Sequence, residues 1–443
     1  MVSAAEQLAK NLNFGSISKA KELHKRLIFT LVALIVYRLG TYIPLTGIDP
    51  AGLKSIVAQT QGGLLGMFNA FGGGAVQRMA IFALNIMPYI SASIILQVLT
   101  IASPTLEALK KEGEAGRKKI NQYTRYGTVV LAAVQAYAIA VSLEANPQIV
   151  HVPGWFFRIS TVITLSGGTM FLMWLGEQIT ARGVGNGVSL IIFAGIVANL
   201  PQALITLFEL GRNGSMPAWI IVAIMLGSTV VIAFIVFMER AQRRLLITYP
   251  KRQVGNRMFQ GDKSHLPLKI NSSGVIPPIF ASSLLLLPAT AGQFAGAGGP
   301  EWLRTINAVL GNGQPLHYLL YAVGIIFFAF FYTSIIFNPE ETADNLKKYG
   351  GFIGGLRPGK RTAEYIDYVL TRLTVIGSLY LCAVCLIPQY AISKMSLPFY
   401  LGGTSILIVV SVTMDTVAQI HSHLLAHQYE GLIKKAKLRG ARK

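Results

Sequence analysis

Charged residues are scarce in this sequence: Asp, Glu, Lys and Arg together fill 13% of its 443 positions. Soluble domains carry about 25% charged residues, and the mean hydropathy here is +0.52. This composition excludes a chain of soluble domains and indicates a membrane protein. Cysteine is scarcer still, with only Cys382 and Cys385 inside an apolar run. Two cysteines cannot build a disulfide framework, and an apolar helix favours inert packing of their thiols over redox chemistry.

Sequence motifs for hydrolysis, metal binding and nucleotide binding are also lacking. Neither H-E-x-x-H nor G-x-S-x-G occurs. The spacing of His421, His423 and His427 makes a poor metal site. The glycines of 183–187 join two apolar stretches rather than follow a strand, so they predict a tight turn and not a phosphate loop. We therefore expect no enzyme activity, no metal and no cofactor, and an energy source outside the chain.

Ten apolar stretches are each long enough to cross a membrane, which takes about 20 residues. In chain order, spans one to ten cover 27–47, 80–101, 126–145, 156–176, 188–208, 218–238, 273–293, 317–337, 369–388 and 403–425. The N-terminus lacks the basic start of a cleaved signal peptide, so we expect span one to remain in the protein. An even number of spans places both termini on the same side of the membrane.

The basic residues lie mostly on one side of these spans. Lys and Arg number 39 against 19 acidic residues, a net charge of +20. Thirty-two of the 39 fall in the N-terminus, in the C-terminal tail or in the loops near 102–125, 177–187, 239–272 and 338–372. Six lie in the opposite loops, and Arg38 lies within span one. Because basic loops stay in the cytoplasm, both termini and the two long loops are predicted to be cytoplasmic.

The loops 239–272 and 338–372 are longer than a connection between neighbouring spans requires. The first combines arginines with aromatic and β-branched residues around Pro250, which predicts a short hairpin. Helix anchoring and attraction to anionic lipid are one explanation of these charges. The favoured alternative is a large acidic partner, such as ribosomal RNA or an acidic protein face.

Spans two and seven share a pattern that indicates an internal repeat. Aligning Pro88 with Pro277 also aligns Ile90 with Ile279, Ala92 with Ala281 and Ser93 with Ser282. Each span is the second of five, and an odd number of spans per half makes the repeat inverted. Proline removes a helical hydrogen bond, so a bend or break is expected in both spans.

The glycine-rich apolar stretch 62–78 before Pro88 is too short to cross a membrane. Irregular structure at membrane depth survives only where protein or a cavity surrounds it. The stretch is therefore predicted to be a re-entrant half-helix on the outer side. A surface loop is the alternative, although Met67, Phe68 and Phe71 would be costly to expose.

Ionisable residues within the spans are few, with Arg38 and Asp415 the clear cases and Glu177 near a span end. Ion-coupled transporters usually carry buried carboxylates or histidines along their path, so this scarcity disfavours that class. Uncharged polar residues are more prominent, and they indicate either contacts between helices or a seam that opens. They are Ser91, Ser93, Gln97, Gln135, Ser282 and Ser283.

Many short stretches resemble one family, the SecY/Sec61-alpha family of protein-translocation channels, and they extend over essentially the whole chain. Among them are Gly47–Asp49, Phe68–Asn69, Met87–Ser93, Lys111–Glu114, Gln122–Gly127, Met173–Thr180, Gly185–Gly187, Asn338–Pro339, Glu341–Leu346, Arg357–Gly359 and Gly402–Ser405.

The resemblance implies an all-α polytopic membrane protein, with ten transmembrane helices in two inverted five-helix halves around a central pore with a re-entrant plug. The halves would cover 27–210 and 211–425, between a cytoplasmic N-terminus of 1–26 and a basic tail of 426–443. The apolar pore ring maps to Ile86, Ile90, Val188, Ile192, Ile279 and Ile408. The plug, about 62–78, includes Leu64, Leu65, Met67, Phe68, Phe71, Gly72, Gly73 and Gly74.

By the same resemblance, the chain would pass unfolded secretory polypeptides across the bacterial inner membrane and release signal sequences and membrane helices sideways into lipid. The lateral gate would lie between spans two and three and spans seven and eight, where Ser91, Ser93, Gln97, Gln135, Ser282 and Ser283 lie. Arg243, Arg244 and Arg357 would contact the SecA motor or the ribosome. SecE and SecG would be companion subunits, anionic lipid would surround the chain, and SecDF and YidC are further partners that the resemblance suggests.

Two other functions are compatible with many apolar spans. One is an inverted-repeat secondary transporter of small solutes, and the other is a scaffold for membrane complexes. The scarce buried charge and the large basic loops favour the channel over both.

Overall fold

The computed structural model describes residues 21–49, 72–144, 150, 152–214, 216–249, 252–254, 257–259, 263–295, 314–356, 358–395 and 402–440. The chain divides into two compact units. The first is Met1–Leu204 with Val412–Lys443, and the second is Ile205–Ser411.

The first unit is built from helices that pack side by side. They are α1 (Lys21–Gly40), α2 (Met87–Ala102), α3 (Pro104–Lys111), α4 (Glu114–Glu144), α5 (Trp155–Arg182) and α6 (Gly187–Arg212), whose last turns enter the second unit. Helix α2 packs against α4, α4 against α5, and α1 against α5. Ala132, Ala136 and Ala140 are fully buried one turn apart on α4. Small side chains in such a row let neighbouring helices approach closely.

The second unit combines helices with short strands. Its helices are α7 (Ala218–Arg240), α8 (Ile276–Ala295), α9 (Pro315–Ile336), α10 (Pro339–Lys348), α11 (Lys360–Met395) and the start of α12 (Gly403–Gly440). Its strands are β1 (Gln242–Thr248), β2 (Arg252–Val254), β3 (Arg257–Phe259), β4 (Lys263–Lys269) and β5 (Phe352–Ile353). Helix α8 packs against α9, and α9 against α11, which repeats the α2–α4–α5 succession of the first unit.

The two long loops of the sequence fold into one sheet. Strands β1 and β4 pair antiparallel from Gln242–Lys269 to Thr248–Lys263, which confirms the predicted hairpin, although Pro250 itself lies outside the described residues. Strand β5 from the second loop pairs with the other edge of β1. Leu245, Leu268 and Ile353 from the three strands form one apolar cluster with residues of α11, including Ile366. The loops are therefore not separate connectors, and a contribution from β5 was not foreseen in the sequence.

Several helices are long and apolar enough to cross a membrane. Within the described residues they number seven, or eight if the bent pair α2–α3 counts as one span, and α8 adds the shorter apolar segment Ile276–Leu285. The chain is thus a mostly helical membrane protein with multiple spans, in agreement with the predicted fold class. The total of ten spans stays a prediction.

Two helix ends and one bend are among the differences from the prediction. Helix α1 ends at Gly40 rather than at 47, because the chain turns at Thr41 and Tyr42. Span two begins at Met87 rather than at 80, after a run of turns. Pro88 occupies the first turn of α2, where no backbone N–H is needed, so the expected break at this proline was wrong. The bend lies instead after Ala102, where α2 and α3 meet at 99°.

The predicted half-helix at 62–78 lies partly outside the described residues, which resume at Gly72. From there to residue 78 the chain forms turns, so the helical prediction was wrong for this part. Gly73 and Gly74 have φ angles of +63° and +84°. These values are open to glycine and costly in a right-handed helix, which explains why no helix forms here.

Candidate pore, gate and docking surface

The ring residues of the first unit lie at the starts of two helices. Ile86 is the N-cap residue of α2 and is fully buried, and Ile90 lies one turn further on the same face with 7% exposure. Val188 and Ile192 occupy the same spacing on α6. The Asn186 side chain accepts hydrogen bonds from the Val188 and Ser189 amides at 3.1 and 3.3 Å, which fixes this helix start.

The ring residues of the second unit are Ile279 on α8 and Ile408 on α12. Ile279 is half-buried and Ile408 is 1% exposed. Ile279 is the fourth residue of α8, as Ile90 is of α2. The proline is the second residue in both helices, so the repeat found in the sequence has the same register at both helix starts.

The predicted gate residues lie on helices that pack together within each unit. In the first unit, Gln97 donates from Nε2 to Ser93 Oγ at 3.2 Å on α2, and Gln135 lies on the adjoining α4. Gln97 Oε1 is buried and has no hydrogen-bond partner among the residues described. In the second unit, Ser282 and Ser283 both donate to the Ile279 carbonyl at 2.8 Å. Such bonds compete with the helical ladder and ease bending of a helix.

The predicted plug is described only at its end, where Gly72, Gly73 and Gly74 are buried. Leu64, Leu65, Met67, Phe68 and Phe71 lie outside the described residues. The chain from 72 to 81, called the plug exit below, is held to the segment after α1. The Leu45 amide donates to Met79 O at 2.9 Å and the Ile81 amide to Ile43 O at 3.0 Å.

The predicted docking arginines lie on the hairpin, except for Arg357, which lies outside the described residues. Arg243 and Arg244 are exposed on β1 and pair with Leu268 and Pro267 of β4. Successive strand residues point to opposite faces, so Arg243 and Arg244 project from opposite faces of the sheet. Arg244 shares the face of the exposed Leu246, and Arg243 shares the face of the buried Leu245.

Two polar contacts between elements were not predicted from the sequence. Arg125 on α4 makes a bidentate bond to Glu177 on α5, with distances of 2.6 and 3.1 Å. These residues belong to two of the family-like stretches, which could have signalled a pair. Asn271 donates from Nδ2 to Glu239 Oε1 at 2.7 Å and to Gly274 O at 3.1 Å. No signal in the sequence pointed to this second contact.

Two carboxylates have lowered pKa values and lie outside the long apolar helix segments, and the segment nearest Glu144 ends at Val141 rather than at the predicted residue 145. Glu144, at the end of α4, accepts from Arg158 Nε at 2.7 Å and from the Gly154 amide at 3.0 Å. The Arg158 hydrogen bond is the main cause that lowers the pKa of Glu144. Glu107 on α3 is exposed, and its contact with Lys111 at 2.8 Å lowers the pKa of Glu107.

The sequence of this chain matches one family of known proteins. The family model SecY matches residues 80–417. The protein translocase subunit SecY of Rickettsia conorii is 54% identical over 431 residues, covering 96% of this chain and 99% of that protein. The subunit of the same name from Escherichia coli K12 is 54% identical over 423 residues, covering 95% and 96%.

Solved structures with a similar fold are far more distant in sequence. A protein-conducting channel is 17% identical with a TM-score of 0.63, covering 91% of this chain and 93% of that chain. Sec61 in the canine ribosome–channel complex from the endoplasmic reticulum is 16% identical with a TM-score of 0.61, covering 90% and 92%. At these identities the likeness concerns the fold.

Proposed function

The chain belongs to the SecY family, and on that premise we propose that it is the protein-conducting subunit of a membrane translocase. It passes unfolded secretory polypeptides across the membrane and releases apolar helices sideways into lipid. The relatives that are 54% identical to this chain over nearly their whole length are named protein translocase subunit SecY. The chain is accordingly a channel component and not an enzyme.

The observation that carries this proposal is the shared register of Ile90 and Ile279. Each residue is the fourth of a helix whose second residue is a proline, and the two helices occupy matching places in the two halves of the internal repeat. An apolar constriction resists wetting and therefore blocks ions. With Ile86, Val188, Ile192 and Ile408, these side chains would line a ring that seals at rest and adapts around a passing peptide.

The proposal extends to a lateral gate on the same helices and to a plug. The polar residues of α2 and α4 and those of α8 would border a lateral opening, where an apolar segment of the substrate moves into lipid. Gln97 Oε1 has no hydrogen-bond partner among the described residues, which supports a polar role for this edge, because a buried acceptor without a partner is costly in a closed helix interface. Residues 62–78 would form the plug on the outer side.

The sheet of β1, β4 and β5 is the proposed docking surface for an external motor or for the ribosome. Its exposed Arg243 and Arg244 suit the acidic face of a motor ATPase or ribosomal RNA. A ribosome-bound channel stands among the structures of similar fold. SecA, SecE and SecG are the proposed protein partners, and the proposed location is the bacterial inner membrane with both termini in the cytoplasm.

Reconstitution tests this function. The chain is placed in liposomes with SecE, SecG, SecA and ATP, and a signal-bearing preprotein is added outside. We expect ATP-dependent protection of the preprotein from protease, and no uptake of small solutes driven by an ion gradient. Solute uptake without preprotein import would instead favour the secondary transporter.

A further inference from the structure

Arg38 is a cation within the first predicted span that has no part in the proposed ring, gate or docking surface. It lies in the last turn of α1, where its guanidinium reaches away from its own helix. Its Nη1 donates to the Gly73 carbonyl at 2.6 Å, across 35 positions of sequence, and its Nη2 donates to Tyr42 Oη at 2.9 Å. One side chain thus joins the end of α1 to the plug exit.

A second arginine shares the same aromatic ring. The Arg78 guanidinium carbon lies 4.0 Å from the centre of the Tyr42 ring, and that of Arg38 lies 4.8 Å from it. None of the three ion pairs found among the described residues includes either arginine. The ring therefore stabilises both cations through its π face, and the tyrosine hydroxyl orients Arg38 alone.

Gly73 lies between Arg38 and the backbone of α6. A Cβ atom built on Gly73 would lie 3.0 Å from Arg38 Nη1 and 3.1 Å from the Cα of Gly195. Its φ of +63° is a conformation that other residues adopt at a cost. Backbone bonds hold the plug exit at Met79 and Ile81, whereas at Gly73 the partner is the charged side chain.

We infer that Arg38 is a positioning residue that fixes the plug exit at Gly73 against α1 and α6. A guanidinium that donates to a carbonyl forms a stronger bond than a neutral donor, and Tyr42 holds that guanidinium in place. The inference rests on the proposed function only for what the plug does, because the contact itself is a property of residues 38, 42 and 73.

The test measures backbone hydrogen exchange in peptides covering 72–81, with the full-length protein in lipid nanodiscs. Arg38→Gln is expected to speed exchange there about tenfold or more, since it removes a charge-assisted hydrogen bond. Arg38→Lys keeps the charge without the two-pronged donor and is expected to give an intermediate rate. Tyr42→Phe keeps the ring under both arginines and is expected to raise exchange by a smaller factor.

Arg78→Gln is the matched control, because it removes an equal charge from the same ring and leaves the Gly73 bond intact. It removes only a long hydrogen bond from Arg78 Nη1 to the Thr41 carbonyl, at 3.5 Å. Its exchange at Gly73–Ala75 is expected to stay near that of the unmodified protein, as is exchange in α4 for every variant. Unchanged exchange in Arg38→Gln would overturn the inference. So would an equal rise in Arg78→Gln, which would indicate a general effect of charge. If Arg38→Gln fails to fold, the Tyr42→Phe result decides.

Resting ion conductance of the same variants in planar bilayers separates this inference from the proposed function. Faster exchange with raised conductance supports both the anchor and the plug. Faster exchange with unchanged conductance supports the anchor and contradicts a sealing role for this segment.

Discussion

Isoleucine at positions 90 and 279 combines two properties at one place. The side chain is apolar, which disfavours a continuous column of water, and it is branched yet able to change rotamer around a passing chain. Both residues lie one helical turn after the helix start, where the backbone is fixed by a proline. The seal would therefore be set by side chains on rigid helix ends.

Replacing Ile90 with Ser is expected to raise resting ion conductance in planar bilayers, because a hydroxyl helps water to wet the constriction. Ile95→Ser on the same helix is the matched control, since Ile95 is 43% exposed on α2 and lies outside the proposed ring. Equal conductance of the two variants would contradict the ring assignment.

Glu144 provides a pH-dependent prediction. Its carboxylate, with 8% of the side chain exposed, bonds to Arg158, and the bond lowers the pKa of Glu144 below its ordinary 4.5. A lowered pKa in the folded state stabilises the fold above the ordinary value, and this stabilisation is lost as the pH falls through the lowered pKa. The midpoint temperature of thermal unfolding in detergent should therefore fall as the pH drops from 4.5 through the lowered pKa of Glu144. The fall should be smaller in Glu144→Gln. Parallel curves for the two proteins would contradict the prediction.

At the scale of elements, the joint between β4 and α8 is held by several hydrogen bonds. The Ile270 amide closes the hairpin on Ala241 O at 3.1 Å. Asn271, 3% exposed, then bonds to Glu239 of α7 and to Gly274, just before α8 begins. A Cβ on Gly377 of α11 would lie 2.8 Å from Ile270 O. The end of α7, the hairpin and α11 thus come together around Ile270 and Asn271.

Asn271→Ala is expected to lower the free energy of unfolding by about 1–3 kcal/mol, because the buried Asn271 amide and its hydrogen bonds to the half-buried Glu239 carboxylate and to the Gly274 carbonyl are lost. Ser272→Ala is the control, since that hydroxyl bonds only locally, to Lys269 O at 2.9 Å. Chemical unfolding in detergent measures both. Similar losses in the two variants would contradict a special role for Asn271.

Reversing one charge on the sheet of β1, β4 and β5 tests the proposed docking surface. Arg243→Glu is expected to weaken binding of the motor ATPase about two- to fivefold, in line with the free energy of one exposed charge contact. Arg212→Glu, at the other end of the predicted spans five and six, is the control. Binding to nanodiscs at several salt concentrations measures the effect, and equal affinities would argue against docking at Arg243.

At the scale of the whole molecule, apolar stretches predicted a helical membrane protein with multiple spans, and the alignment of Pro88 with Pro277 predicted the repeat, while the number of spans per half stays a prediction. These patterns failed where a residue's effect depends on its neighbours. Pro88 was expected to break a helix, yet it begins one, because proline is harmless in a first turn. The two residues of β5 carry too little pattern to be recognised as a strand. The Arg38–Gly73 bond connects positions that only the folded chain brings together.

The orientation of the whole chain is open to direct test. Single cysteines are introduced at Lys347 and at Arg212, both exposed, after Cys382 and Cys385 are changed to alanine. A membrane-impermeant maleimide is expected to label position 347 from the cytoplasmic side and position 212 from the outer side, because basic loops stay in the cytoplasm. The reverse labelling would contradict the predicted topology.

The late arrival of β5 has a consequence for how the molecule is made. Strands β1 and β4 are synthesised together, but the third strand follows only after α8 and α9 have left the ribosome. Until then the edge of β1 at Ile247 and Thr248 lacks its pairing strand, and an open edge is prone to wrong pairing. A half-made chain therefore carries the arginine hairpin with one edge still open, a state that ends once β5 has been made.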